Sequence, residues 1–513
     1  MNTLLRSRFG FVKMIVLLAG FLLCSAPGLQ AENSTNRMPH IFPDYTEITL
    51  PPNIAPLNFV VQETGSQYRI EFRSTKGEPI QLTSITPGIS IPMVQWKRML
   101  EANRGEPLLL AVSIKSPGET WLRFTTVTNY IAREDVDGWL VYRLLHPLFN
   151  MFNQLGIYQR NVQNFEETEV LQNRNFDQGC LNCHSFLKNR PDTFALHIRS
   201  EEHKSPMMLV LSNEVVKLGK TAGYMSWHPS GRLIAFSANK PSLFFHATGE
   251  CREVYDANAN LGFYRVDSNS IVVPPPLATA EFLETWPGWG HDGQYLYFCR
   301  APLIPIERYR EIRFDLMRVH YDITNDQWGP IEPLVSARDS RMSAAQPKAS
   351  PDGRFLVFCL FERGNFPVYQ ASSDLYIMDL QTLKYRRMEC NSDQSESWHS
   401  WSSNSRWLVF SSKRWDGLFA RPFFTYIDEQ GREHKPFVLP QKDPAFYDSY
   451  IKTFNVPELI KGPIQVTQQD LARAIKDPVH KRIPKLEGSH TQDLIQKDEV
   501  PGGNAPYPSE NPQ

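Results

Sequence analysis

Trp227-His228-Pro229-Ser230-Gly231-Arg232-Leu233-Ile234-Ala235-Phe236-Ser237 is the stretch that decides the fold, because it recurs three times without gaps. The recurrences are Trp289-Gly290-His291-Asp292-Gly293-Gln294-Tyr295-Leu296-Tyr297-Phe298-Cys299, Ala349-Ser350-Pro351-Asp352-Gly353-Arg354-Phe355-Leu356-Val357-Phe358-Cys359 and Trp401-Ser402-Ser403-Asn404-Ser405-Arg406-Trp407-Leu408-Val409-Phe410-Ser411. Each reads as the end of one strand, a tight turn, and a second, apolar strand. Pro-Ser-Gly and Pro-Asp-Gly carry the turn chemistry, with glycine in the φ > 0 position. The apolar run of four or five residues that follows reads as a buried strand. The turn positions Gly231, Gly293, Gly353 and Ser405 are spaced by 62, 60 and 52 residues. That period suits a four-stranded propeller blade with loop insertions. Outer strands of the same blades are legible at 261–266, 316–321 and 375–380.

These turns resemble the TolB-like, WD-repeat-like β-propeller family, whose blades carry a W-S-P-D-G-(K/R)-x-(I/L)-x-(F/Y) core. The likeness covers roughly residues 220–415. Ala349 stands where the pattern has Trp, and His291 and Ser403 stand where it has Pro. The resemblance implies an all-β chain with a propeller over residues 191–445. Segments 194–198 with 207–218, and 423–439, read as further, degenerate blades, giving about six. TolB is a periplasmic partner-binding protein without haem, so the likeness transfers no function.

Outward from the repeats, residues 40–132 read as a separate β domain of the small-sandwich kind. Its strands are expected at 46–50, 57–62, 68–74, 107–115 and 120–129, with a short helix over 93–103. Residues 136–154 carry Trp139, Tyr142, Leu145 and Phe149 at helical spacing. On that basis residues 133–190 are expected to form a helical linker. Residues 446–513 turn polar and read as a tail, with 501–513 disordered.

At the N-terminus, Arg6, Arg8 and Lys13 precede a short apolar run, 14–24, too short for a comfortable membrane span. The reading is a signal peptide over residues 1–31. Cys24 raises a lipoprotein alternative and the apolar run an uncleaved anchor. The mature chain is expected to be exported and periplasmic, with no membrane span. A net charge of −1 gives no reason to expect nucleic acid as a partner.

Between the expected linker and the propeller lies Cys180-Leu181-Asn182-Cys183-His184, a C-x-x-C-H of the kind that attaches a c-type haem. Two thiols at this spacing can add to the two vinyl groups of one porphyrin, and His184 then supplies the proximal iron ligand. A thioredoxin-like pair, half a zinc site or a plain disulfide are the competing readings. A zinc ribbon needs a second close pair, which the sequence lacks. The cofactor expected is one covalent haem c. Candidate distal ligands are His197, Met207 and Met208, with His203, His146 and Met151 behind them, or no protein ligand at all. Core packing is the ordinary role of each such Met, and a surface or hydrogen-bonded role that of each His.

A second candidate site lies in the propeller. Ser397-Trp398-His399-Ser400-Trp401 falls on an expected innermost strand near the central channel, with Arg414, Asp416 and Arg421 shortly after and His228 at the matching turn of an earlier blade. Such a ring suits an anion, a metal or a substrate. The plainer reading is that His399 caps a turn and the charges are solvated or paired. Cys299 and Cys359 read as small buried hydrophobes; Cys251 and Cys390 are left unassigned. No G-x-S-x-G, H-E-x-x-H or phosphate loop supports hydrolase chemistry. Three functions follow as expectations. The first is an exported mono-haem electron-transfer protein whose propeller docks a redox partner or substrate. The others are a protein-interaction propeller with a structural or sensing haem, and a haem oxidoreductase or peroxidase.

Overall fold

The computed structural model describes residues 32–147, 154–204, 206–219, 222–245, 252–488 and 491, with the side chains of 240–245, 252, 253, 257 and 306 outside that set. The expected signal peptide, Cys24, Met151, Cys251 and 501–513 therefore lie outside the described residues. Six sheets of four strands or more form the blades of a β-propeller. Blade 3 runs outward through Gly223–Trp227, Leu233–Phe245, Arg252–Arg265 and Ser270–Val272. Blade 4 runs through Phe282–Trp289, Tyr295–Pro302, Asp315–Asp322 and Gln327–Val335. Blade 5 comprises Ser343–Ala349, Phe355–Phe361, Asp374–Asp379 and Tyr385–Arg387; blade 6 comprises Glu396–Trp401, Trp407–Ser412, Arg421–Tyr426 and Phe437–Val438. The four repeats are thus the inner hairpins of blades 3 to 6. Segment 423–439 is the outer half of blade 6 rather than a blade of its own.

Blade 2 begins with Cys180–Phe186 as its innermost strand and continues through Thr193–Arg199, Met207–Leu211 and Glu214–Leu218. Blade 1 is assembled from two distant parts of the chain. Its innermost strand is Thr453–Ile460, paired with Trp139–Leu145, then Gly156–Asn161 and Glu167–Gln172. Two expectations are corrected here. Residues 139–145 are strand, not helix, and 446–513 is not simply a tail. The helical stripe misled because both faces of this strand are buried. Val141 and Leu145 pack toward blade 2, while Leu140, Tyr142 and Leu144 join the opposite core. A strand buried on both faces is apolar at both parities, so periodicity does not separate it from a helix.

After the closing strand, the helix Gln468–Lys476 packs on blades 1 and 2, with Leu471 and Ile475 buried. Two short parallel strands, Lys481–Arg482 and Lys485–Glu487, then add a fifth strand to blades 2 and 3. The N-terminal domain contains a seven-stranded and a three-stranded sheet and the helix Met93–Ala102, whose Trp96 is fully buried. It is anchored to blade 6. The Thr49 hydroxyl meets His434 Nδ1 at 2.7 Å, Asp44 accepts from Lys435 at 2.8 Å, and Asp137, just past the domain, accepts two 2.7 Å hydrogen bonds from Ser403.

The repeat residues hold adjacent blades together. Trp227 Nε1 donates to the Ser185 carbonyl of blade 2, and Trp401 Nε1 to the Lys348 carbonyl of blade 5, each at 3.1 Å. His228 Nε2 lies 3.2 Å from the Gly293 carbonyl of blade 4. The turn glycine is required twice over at 293: its φ is +79°, and a Cβ there would stand 2.1 Å from His228 Nε2.

Candidate functional site: the wall of the central channel

All six innermost strands carry the same defect. Their pairing with the second strand slips by one residue, a β-bulge. In five blades the first bulged residue is a non-glycine at positive φ: Tyr224, Trp286, Gln346, Trp398 and Val456. The bulge aims these side chains at the propeller axis. Tyr224 stacks on Trp286 at 3.6 Å between centroids, and Trp286 meets Trp398 at 5.1 Å. Phe366, from a loop of blade 5, lies 6.0 Å from Trp398. Rings from blades 3, 4 and 6 can meet only at the axis, so they close the channel at this level.

In blades 3 to 6 the bulge lies two residue pairs from the turn; in blade 2 it lies three pairs away, at Asn182–Cys183 opposite His197. This placement sorts the C-x-x-C-H side chains. On a regular strand Cys180 and Cys183 would face opposite ways. The extra residue leaves Cys183 in the core beside Tyr224, while Cys180, paired with Arg199, packs against the core between blades 1 and 2. Both thiols are free. Cys183 is buried beside the Tyr224 backbone, and desolvation pushes its thiol pKa up, opposed by Arg143. Cys180 is only half-buried.

His184 is the next residue and turns to the other face, toward blade 1. It pairs with Leu196, packs on Phe186 at 5.8 Å, and lies against the Val456 backbone. It is 5 % exposed, and with the Val456 backbone against the ring neither nitrogen makes a hydrogen bond of ordinary geometry. Burial, helped by Arg143 and Lys348, lowers its pKa to about 3, so the imidazole is neutral at physiological pH.

Among the candidate distal ligands, His197 stands directly opposite the bulge, and Met207 pairs with it on the third strand. His197 is fully buried, with Nδ1 3.2 Å from the Asn182 amide nitrogen and Nε2 unpartnered. Arg143 Nη1 donates to the Leu181 carbonyl and to Asn182 Oδ1 and braces this bulge. Met207 and Met208 lie on the third strand of blade 2, packed into the cores toward blades 3 and 1 respectively. That is the ordinary packing role. His203 sits in the turn after the second strand, near Glu202, and His146 follows the second strand of blade 1.

The channel group proposed from sequence is not brought together. His399 is on the channel wall, 3 % exposed, with Nε2 2.9 Å from the Val357 carbonyl of blade 5. Arg414 pairs with buried Glu396 at 3.3 Å and donates to the Cys390 carbonyl. Asp416 caps its own loop through the Leu418 and Phe419 amides. Arg421 opens the third strand of blade 6 and donates to the carbonyls of Tyr450 and Lys452. A loop residue and a third-strand residue stand away from the axis, and their charges serve the scaffold. His228 is likewise spent on the blade 3–4 contact.

Two channel residues were not anticipated. Lys348 and Glu458 each follow the bulge of their blade, and the lysine's charge acts on Glu458 and on His184. The signal was present. The residue before each repeat is Ser226, Gly288, Lys348 and Ser400, and the lysine is the outlier. A further buried group is Asp256, held by the side-chain amides of Asn239 and Asn365. Burial raises its pKa to about 6, opposed by those amides and by Arg199. Cys299, Cys359 and Cys390 are free and buried.

No family profile matches the chain, and no curated protein matches it. Solved structures similar to it are propellers or remote. A putative TolB from Agrobacterium tumefaciens is 15 % identical over 63 % of this chain and 98 % of that one, with a TM-score of 0.35. An auxiliary nutrient binding protein from Bacteroides thetaiotaomicron is 9 % identical over 76 % and 98 %, TM-score 0.32. Kuenenia stuttgartiensis hydrazine synthase is 12 % identical over 54 % and 71 %, TM-score 0.30. These likenesses accompany the fold and extend to nothing finer.

Proposed function

We propose that the chain is an exported c-type haem protein, with one haem held through Cys180, Cys183 and His184, and a propeller of the TolB-like kind that docks its redox partner or substrate. The observation that carries this reading is the state of the motif. Both thiols are free, and His184 is buried with no ring-nitrogen hydrogen bond of ordinary geometry; because the strand turns His184 away from Cys183, one haem engages all three only when residues 180–184 leave the strand. A buried polar group without a partner is costly and points to a missing ligand. Cys180 and Cys183 would hold the macrocycle by thioether bonds, and His184 would ligate iron. When bound, the haem supplies one-electron chemistry at iron. The chain's own residues do the rest. Arg143 and Asn182 hold the bulge, and the Val456 backbone and Phe186 flank the ring of His184. The basic, apolar N-terminus supports export to a compartment where haem is attached.

The test is expression with haem-attachment machinery, followed by denaturing electrophoresis and haem staining. Covalent haem on the wild-type band, lost in Cys180→Ser and Cys183→Ser, supports the reading. An unstained wild-type band overturns it. A reduced spectrum that is low-spin and unmoved by carbon monoxide favours electron transfer, and a shift with carbon monoxide favours catalysis or sensing. The second reading, a structural or sensing haem, draws on the burial of Cys183 and His184, which keeps the motif away from an incoming partner. Slow exchange with small cytochromes would favour it.

A further inference from the structure

Near the C-terminus, residues 476–485 form a strap across the outer edges of blades 2 and 3, and the haem reading makes no use of what it exposes. Its main chain is firmly held. Lys217 of blade 2, itself buried, donates from Nζ to the carbonyls of Ile475 and, at 2.9 Å, of Asp477. Lys481 and Arg482 pair in parallel with Lys217 and Leu218, and the Gly219 amide donates to the Arg482 carbonyl at 3.0 Å. Asn269 Nδ2 of blade 3 donates to the Ile483 carbonyl at 3.1 Å, and Lys485 pairs with Ser270. Asp477 accepts from the Val479 and His480 amides at 2.8 and 3.0 Å. The fastening uses backbone atoms and Asp477, so the exposed side chains of Val479, Lys481, Ile483 and Lys485 can be exchanged without releasing the strap.

The strap exposes four cations, Lys476, Lys481, Arg482 and Lys485, and among the described residues none of them pairs with a carboxylate. The acids nearby are engaged elsewhere: Asp477 with His480 at 2.8 Å, Asp470 with Arg473 at 3.1 Å and Glu487 with Arg265 at 2.9 Å. Among the cations stand Val479 and Ile483, 73 % and 66 % exposed. Aliphatic side chains held in water forgo the stabilisation that burial would bring. The net charge of −1 conceals this local excess, which is gathered into ten residues. Such a surface suits a polyanion that also takes up apolar tips. An anionic bilayer does both: its surface potential attracts each cation, and its headgroup–acyl boundary buries single protruding aliphatics without a complementary shape. A protein partner fits less well. A stable protein interface covers roughly 800 Å² on each side, with aromatic residues enriched at its core. Residues 476–485 contain no Trp, Tyr or Phe, and three polar residues separate the two aliphatics.

We propose that residues 476–485 dock the propeller on an anionic phospholipid surface, with Lys476, Lys481, Arg482 and Lys485 over the headgroups and Val479 and Ile483 dipping below them. The assignment does not depend on haem. The chain, purified after export, is sedimented with vesicles of phosphatidylcholine alone and with phosphatidylglycerol mixed in, at low and at high salt. Binding to the anionic vesicles is expected to exceed binding to the neutral ones about tenfold or more and to weaken at high salt. Lys481→Gln with Lys485→Gln should weaken it about 25-fold, about fivefold for each charge removed. Lys481→Arg with Lys485→Arg should retain it. Val479→Ser with Ile483→Ser should weaken it about tenfold with every charge in place. The charge pair and the aliphatic pair are separate variants, so a folding failure in one leaves the other to decide. Equal binding to neutral and anionic vesicles, binding to neither, or undiminished binding in both the glutamine and the serine variants overturns the proposal. Retention on polyglutamate without any vesicle binding overturns it too and assigns the strap to an acidic protein. If the wild-type chain carries no haem yet binds anionic vesicles, the haem reading falls and this one stands.

Discussion

Gly293 and Gly353 offer a controlled test of how the blades are locked. Both are turn glycines with nearly the same backbone, φ +79° and +73°, and a Cβ at either would come within 2.1–2.2 Å of a histidine from the preceding blade. Alanine in the left-handed region costs about 1–2 kcal/mol at either site. The histidines differ. His228, against Gly293, is buried, hydrogen-bonded to Ser230 at 2.8 Å, and packed edge-on against Trp289 at 4.7 Å. It has nowhere to go, so Gly293→Ala adds an overpacking cost of about 1–3 kcal/mol. His291, against Gly353, is exposed and can swing into solvent. Gly293→Ala should therefore destabilise by about 2–5 kcal/mol and Gly353→Ala by about 1–2 kcal/mol. Urea unfolding followed by far-UV circular dichroism reads the difference. Adding His228→Ala to Gly293→Ala should recover about 1–3 kcal/mol through a favourable coupling. Equal losses at the two glycines, or no coupling to His228, would refute the argument that the turn-to-turn contact holds adjacent blades in place.

Other expectations are as direct. Burial lowers the pKa of His399 to about 3, below the unfolded value near 6.5. Its contribution to stability is complete above pH 6.5 and falls as the pH drops, by up to about 1.4 kcal/mol per unit. His399→Gln should flatten the acid limb of urea midpoint against pH; an unchanged limb would remove His399 from that account. Glu284 behaves oppositely, raised to about 8 by burial with only partial help from Arg300. Stability is lost as the pH rises from its unfolded value toward 8, so Glu284→Gln should gain on wild type over that span, and a constant difference would count against it. A chain ending at residue 461 keeps the closing strand and should fold, with a lower midpoint. One ending at 452 should not give a cooperative transition, and cooperative unfolding of the shorter chain would show that the ring closes without Thr453–Ile460.

What the sequence made legible was what chemistry repeats. The glycine turns and the apolar runs behind them identified four inner hairpins because each turn obeys the same backbone demand. Blade 1 was hidden for a physical reason: its innermost strand lies far along the chain from the other three, so no local pattern marks it. The bulges were hidden too, since Trp286, Trp398 and Val456 at positive φ leave no glycine to signal them. The haem motif was plain as a string. That it lies on the innermost strand of a blade, bulged at Asn182–Cys183, is something spacing alone does not reveal. Arg414, Asp416 and Arg421 looked like a site because charges close in sequence invite that reading; their partners turned out to be carbonyls, backbone amides and a buried glutamate.

The ring is closed by a strand that is made late, and this sets an order of events. When blade 2 is synthesised, the neighbour that will cover His184 is three strands of a four-stranded blade with its inner edge missing. That wall stays open while blades 3 to 6 are laid down, and it shuts only when Thr453–Ile460 pairs beside Trp139–Leu145. The side chains of the C-x-x-C-H strand thus have a long interval of access during chain delivery and little afterwards. Whatever is to be installed on them must act on a nascent, unclosed ring, and the last strand serves as the timer.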